Sequence, residues 1–274
     1  MIPTDSALEI VRPSASASAA KVVLFDFDGT LSLFRSGWVD VMVPMMVEEL
    51  AGLETGESAP ALAALVRDYV DRLNGKETIY QMIELARQIQ LRGGRPEDPL
   101  AYKHRYLRLL HARIEHRLEE VRSGRCAPEK YLVPGSIALL EDLRARGLRL
   151  YLASGTDQDY MRMEADLLGV TRYFDGGVFG ALDDYQSFSK RQLIASILER
   201  SECTGPEILA FGDGYVEIEN VAEVGGYAVG VATDEPDCRR VNDWKRERLV
   251  RAGAHCIIPN YLRQGELTAR LFSV

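Results

Sequence analysis

The sequence predicts an α/β fold, a doubly wound parallel sheet with an all-α cap domain inserted near its start. Short apolar runs near residues 22–26, 148–153, 208–211 and 227–231 alternate with helical periodicities, the pattern of parallel strands buried on both faces and joined by crossover helices. The first two runs are about 120 residues apart, far more than one crossover helix needs, so something has been inserted between them.

Residues 1–20 include Pro13 and then a tract of alternating Ser and Ala with nothing large to bury, which reads as a flexible leader. Val22, Val23, Leu24 and Phe25 then form an apolar run that ends in Asp26, Asp28, Gly29 and Thr30, a buried strand feeding an acidic turn. Four amphipathic helices are expected over 39–50, 59–73, 76–91 and 100–121, punctuated by glycines, Asn74 and the Gly93-Gly94-Arg95-Pro96 break. The last of them is rich in basic residues, among them Lys103, Arg105, Arg108, Arg113 and Arg117, and reads as a solvated face rather than an anion-attracting surface. Val133-Pro134-Gly135 opens a helix to Arg146, and Gly147 closes it before the second strand. That strand ends in Ser154-Gly155-Thr156; Phe188-Ser189-Lys190-Arg191 opens another amphipathic helix; and Ile208 to Gly214 repeats the pattern of a strand running into an acid, Asp213. Residues 254–258 read as an edge strand. The resulting division is a leader over 1–20, a sheet-bearing core of 21–34 plus 129–274, and a helical cap over 35–128.

Composition sets bounds on function. With 274 residues, 46% of them hydrophobic, the chain can bury a large core. A formal net charge of −8 argues against a nucleic-acid partner or an anionic membrane surface. The four cysteines, Cys126, Cys203, Cys238 and Cys256, are scattered without a paired motif and read as reduced thiols. With no membrane-spanning run and no basic region followed by an apolar core at the N-terminus, a cytoplasmic protein is expected. The sequence does not speak to oligomeric state.

Asp26 and Asp28 stand where ligands gather in such sheets, at the carboxyl end of a strand. Two carboxylates so close repel unless a cation or a proton separates them, and Mg²⁺, with its preference for hard oxygen ligands and phosphate, is the natural cation. Taken alone, the tetrapeptide could equally be a turn after a strand. The ordered set Asp26-x-Asp28-Gly29-Thr30, Ser154, Lys190 and Gly212-Asp213-x-x-x-Glu217 resembles the four motifs of the haloacid dehalogenase superfamily over about residues 21–231.

That resemblance implies a Rossmann-like core and a role for each motif residue. Asp26 would attack phosphorus to give an aspartyl-phosphate, and Asp28 would protonate the leaving alkoxide and then activate water. Ser154 and the Gly155 amide would bind the phosphoryl oxygens, and Lys190 would neutralise them and hold Asp26. Mg²⁺ would be held by Asp26, the backbone carbonyl of Asp28, Asp213 and Glu217. The family commonly has Asp at the last position, and Glu217 is one methylene longer, so it would reach the metal either directly or through water, with Glu219 a poorer substitute. Arg35 and Trp38, just after the first motif, are candidates for substrate contact. The implied activity is a Mg²⁺-dependent phosphatase acting on a small phosphorylated metabolite, a sugar or polyol phosphate, with a phosphosugar mutase resembling β-phosphoglucomutase as the alternative. A receiver-type signalling domain fits less well because of the long insertion, and carbon–halogen hydrolysis fits less well because of Asp28 and Asp213.

Overall fold

The structure, a computed structural model of the chain, describes residues 8–184 and 189–273. Its first strand, β1 (Glu9–Ile10), precedes β2 (Val22–Phe25), and α1 (Val39–Ala51), α2 (Ala59–Leu73), α3 (Thr78–Leu91) and α4 (Pro99–Arg122) follow. After them come α5 (Ser136–Ala145), β3 (Arg149–Asp157), α6 (Gln158–Leu167), β4 (Gly177–Ala181), α7 (Lys190–Arg200), β5 (Ile208–Gly212) and α8 (Tyr215–Glu223). The chain closes with β6 (Tyr227–Val231), α9 (Asp243–Ala252), β7 (Cys256–Ile258) and α10 (Gln264–Leu271). The strands form one sheet in the order β1-β7-β6-β5-β2-β3-β4, parallel except for the antiparallel β1–β7 pair.

β2 sits near the centre, with Leu24 in register with Tyr151 on one side and Ala210 on the other. Because side chains alternate across a strand, Val23 and Phe25 pack on one face with residues of α5, α6 and α10, while Val22 and Leu24 pack on the other with residues of α7, α8 and α9. Burial on both faces explains why the run is continuously apolar. Phe25 stacks on Phe211 of β5 at 4.6 Å between ring centroids, which ties together the two strands that carry Asp26 and Asp213.

The inserted helices start where local signals put them. Ser58 accepts a hydrogen bond from the Ala61 N–H at the start of α2, and Asp98 accepts one from Leu100 at the start of α4, each followed closely by a proline suited to the first helical turn. Lys103 departs from the expected solvated face of α4. Its side chain is 1% exposed, and its ammonium meets Asp157 at 2.5 Å and Asp183 at 2.8 Å, so a cap residue is tied to the end of β3 and to the loop beyond β4.

Residues 1–7 of the expected leader lie outside the described residues, but residues 8–20 are not a flexible leader. Glu9 and Ile10 pair with Ile257 and Cys256, the Ala17 N–H donates to Leu271 O at 2.9 Å, and Ala17 is fully buried. The open edge of a sheet offers unpaired backbone groups, and small side chains let the chain lie close against it. For the same reason β7 is not the edge strand the sequence suggested: β1 covers it. β4, which forms the opposite edge, carries two glycines in five residues and gave no strand signal. The four cysteines are free, and no helix among the described residues is long and apolar enough to cross a membrane.

Candidate active site

Asp26 follows β2 directly, its N–H bound to Phe211 O at 2.9 Å, and the residue is 7% exposed. Lys190, the first residue of α7, reaches it with Nζ 2.8 Å from Asp26 Oδ1 and 2.8 Å from Glu217 Oε2. Burial disfavours the ammonium, but Asp26 and Glu217 outweigh that cost and raise its pKa. Asp26 is pushed well upward by burial, with Glu217 and Asp213 adding to the rise and Lys190 opposing it. Glu217 rises for the same first reason. Phe188, one of the residues that marked this helix start, lies outside the described residues.

Asp28 is two residues on, and its Oδ2 accepts hydrogen bonds from Thr156 Oγ1 at 2.8 Å and Ser154 Oγ at 3.2 Å. The Ser154 hydroxyl also accepts the Thr156 N–H at 3.0 Å, within the end of β3, and α6 begins after Asp157. These residues sit where the β3–β4 register shifts, between Ala153 and Asp157, and the irregularity turns them toward the site. Burial raises the Asp28 pKa to about 6, against the opposing charge of Arg35, whose Nε is 3.7 Å away. Its Oδ1 is buried without a hydrogen-bond partner.

Asp213 lies beyond β5 with its N–H bound to Thr30 Oγ1 at 3.0 Å. Gly29 makes this approach possible: it has a φ of +71°, and a Cβ there would lie 2.3 Å from Asp213 Oδ2. Lys245 of α9 donates to the same Asp213 oxygen at 2.8 Å and to Glu235 Oε1 at 2.8 Å.

These groups line a cavity of about 320 Å³ between sheet and cap, with Trp38, Met42 and Tyr106 contributing an apolar wall. The turn between α2 and α3 closes one side. Gly75 approaches so near the Asp213 loop that a Cβ would stand 3.2 Å from Gly214 Cα, and a Cβ on Gly155 would stand 3.1 Å from Lys76 O. Arg248 holds the same turn by donating to the carbonyls of Asp71 and Asn74.

The sequence model of the haloacid dehalogenase-like hydrolases matches residues 20–225. The chain belongs to that family. Among solved structures, a predicted phosphoglycolate phosphatase from Haemophilus somnus 129pt is similar at 15% identity and a TM-score of 0.59, with 91% of this chain and 98% of that one covered. A phosphonoacetaldehyde hydrolase-like protein from Oleispira antarctica matches at 15% identity and a TM-score of 0.59, covering 96% and 98%. A β-phosphoglucomutase from Clostridium difficile matches at 14% identity and a TM-score of 0.57, covering 92% and 97%. At such identities the likeness is one of fold. No curated protein matches the chain.

A haloacid dehalogenase-like hydrolase implies a divalent cation, and the residues here fit one. One carboxylate oxygen from each of Asp26, Asp213 and Glu217 lies within 4.8 Å of the others, a set of hard oxygen donors, and beyond the burial that raises the Asp26 pKa most, the charges of Glu217 and Asp213 push it further up. The three are not equivalent. Glu217 Oε1 accepts the Gly214 N–H at 2.9 Å in the capping box of α8 while Oε2 accepts from Lys190, so both its oxygens are engaged.

The structure therefore brings Asp26, Asp28, Ser154, Gly155, Lys190 and Asp213 to one cavity that Arg35 and Trp38 also line, with Glu217 buried behind Lys190 and close to Asp26 and Asp213. Arg35 is less free than its position suggested, because Glu164 of α6 clamps it at 3.0 and 2.7 Å. Thr156, Glu164, Glu235 and Lys245 escaped the sequence reading. Thr156 had a signal, its place beside Ser154; the other three come from helices and loops with no motif of their own.

Proposed function

We propose that the protein is a Mg²⁺-dependent phosphatase of a small phosphorylated metabolite, a sugar or polyol phosphate, acting through an aspartyl-phosphate on Asp26. The observation that carries this reading is the division of labour between two carboxylates two residues apart. Asp26 is aimed by the Lys190 ammonium, which opposes the upward push of burial on its carboxyl, whereas Asp28 is held near a pKa of about 6 by burial, away from Lys190, and can carry a proton near neutral pH.

A phosphate monoester resists nucleophiles because of its own charge, so the site must neutralise and position. Lys190 supplies one positive charge, and Ser154 and the Gly155 amide, both on the cavity wall, would donate to phosphoryl oxygens. Asp28 protonates the departing alkoxide as Asp26 attacks, then takes a proton from the water that frees Asp26. Glu217 fixes Lys190. Asp26 and Asp213, with Glu217 beside them, would hold Mg²⁺, which would supply positive charge against the phosphate and the nucleophile. The cavity of about 320 Å³, walled on one side by the α2–α3 turn, suits a sugar-sized ester better than a folded phosphoprotein.

The test is a panel of phosphorylated metabolites assayed for phosphate release with Mg²⁺ and with chelator. Release of inorganic phosphate from several sugar or polyol phosphates, lost with chelator, is the expected result. Isomerised sugar phosphate without net release would instead mark a phosphosugar mutase, which would use the same residues to return the phosphoryl group to sugar.

A further inference from the structure

No motif marks Lys245, yet it is the best-secured cation at the Asp213 end of the cavity. It stands in the first turn of α9, where its own N–H is bound by the Asn242 side chain at 3.0 Å, and its side chain is 12% exposed. Nζ divides itself between Asp213 Oδ2 and Glu235 Oε1, both at 2.8 Å. Glu235 is anchored in turn, because its Oε2 accepts from Ser36 Oγ at 2.5 Å. Asp213 has little room to turn away, since the Thr30 hydroxyl holds its N–H and Gly29 lies against Oδ2. Asp213 therefore already shares one oxygen with a fixed, charged ammonium before any other cation arrives. Four carboxylates, Asp26, Asp213, Glu217 and Glu235, face two ammoniums, Lys190 and Lys245, across this network.

We infer that Lys245 and Glu235 set the affinity of the metal centre: the ammonium lowers the pull of Asp213 on a divalent cation, and Glu235 limits that effect by drawing the ammonium partly to itself. The inference rests on the proposed Mg²⁺ site and adds a positioning pair to it. Like charges on a shared carboxylate repel, and in a cavity shielded from water the repulsion is far stronger than in bulk solvent. Removing the ammonium should strengthen metal binding, and removing the Glu235 charge should weaken it. A pair that merely braced the fold would not shift affinity in opposite directions.

The experiment is calorimetric titration of Mg²⁺ into the full-length protein without substrate, at fixed pH and ionic strength, with thermal melts to verify folding. Lys245→Met should bind Mg²⁺ about tenfold more tightly, Glu235→Gln several-fold more weakly, and Lys245→Arg within about threefold of the parent. Unchanged or weaker binding by folded Lys245→Met would overturn the inference. If Lys245→Met loses its thermal transition, Glu235→Gln decides alone, and equal or tighter binding overturns it. A parent protein with no measurable Mg²⁺ binding would overturn both the inference and the metal-dependent reading beneath it, whereas binding without these shifts overturns the inference only.

Discussion

The Arg35 guanidinium is clamped by Glu164 through Nε–Oε2 and Nη2–Oε1 contacts of 3.0 and 2.7 Å, with Glu164 fully buried and Arg35 7% exposed. The pair joins the segment after β2 to α6 across the wall of the cavity, and Arg35 faces Asp28 from there. Breaking a buried pair strands the remaining charge, so Glu164→Ala should destabilise the protein by about 3–5 kcal/mol. Urea unfolding measures this directly; a loss below about 1 kcal/mol would show that the clamp is not structural.

Asp28 gives a prediction about both pH and chemistry. Its pKa of about 6 lies above the ordinary 3.8, so between these values the folded state holds a proton that the unfolded state has released. Stability from this group therefore declines as pH rises through that window, and the cost is fully present above about 6. Asp28→Asn carries no charge, so with chelator present it should match the parent below pH 4 and exceed it at pH 8, by about 1–2 kcal/mol given that Asp28 is partly solvated.

The same variant should be far slower on alkyl phosphates and much less impaired on an aryl ester whose leaving group needs no proton. Equal losses on the two substrates would remove Asp28 from the role of acid.

Lys190 binds Asp26 and Glu217 together, and the three should act as a unit. Asp26→Asn and Lys190→Met should each lower turnover by more than about a thousandfold with the fold intact by circular dichroism. The double variant should lose little more than either single one. Additive losses would separate the residues' roles. Glu217→Gln retains a partner for Gly214 but weakens the hold on Lys190, so it should reduce turnover moderately and raise the Mg²⁺ concentration needed for half activity.

Lys103 tests the cap. Replacing it with Met keeps the stem but releases Asp157 and Asp183, so α4 should loosen from the core. Faster hydrogen exchange in α4 and a several-fold lower kcat/KM are expected, because closure shields the reaction from water. Unaltered exchange would mean that the ion pair does not hold the cap.

The sequence by itself determined the sheet's centre and the acidic ends of its strands. β2, β5 and β6 are buried on both faces, and a strand of that kind has to be apolar throughout, which makes it visible without any neighbour. Asp26, Asp28 and Asp213 follow such strands and were legible for that reason, and the helices over 39–122 were legible from their periodicity and from breaks such as Asn74.

What the tertiary structure decided is which distant groups meet. β1 and β4 are edges, short or glycine-bearing, and take their conformation from a neighbour rather than from local preference. Lys103 looked like one more solvated charge on a basic helix until the fold placed two aspartates around it. Glu217 reads as a metal ligand by spacing, but the loop before α8 and the arrival of Lys190 commit both its oxygens. Glu164, Glu235 and Lys245 belong to no motif; they become part of the site because a charge placed at the active edge by one strand must be balanced at hydrogen-bond distance, and only the folded chain fixes which residue is there to balance it.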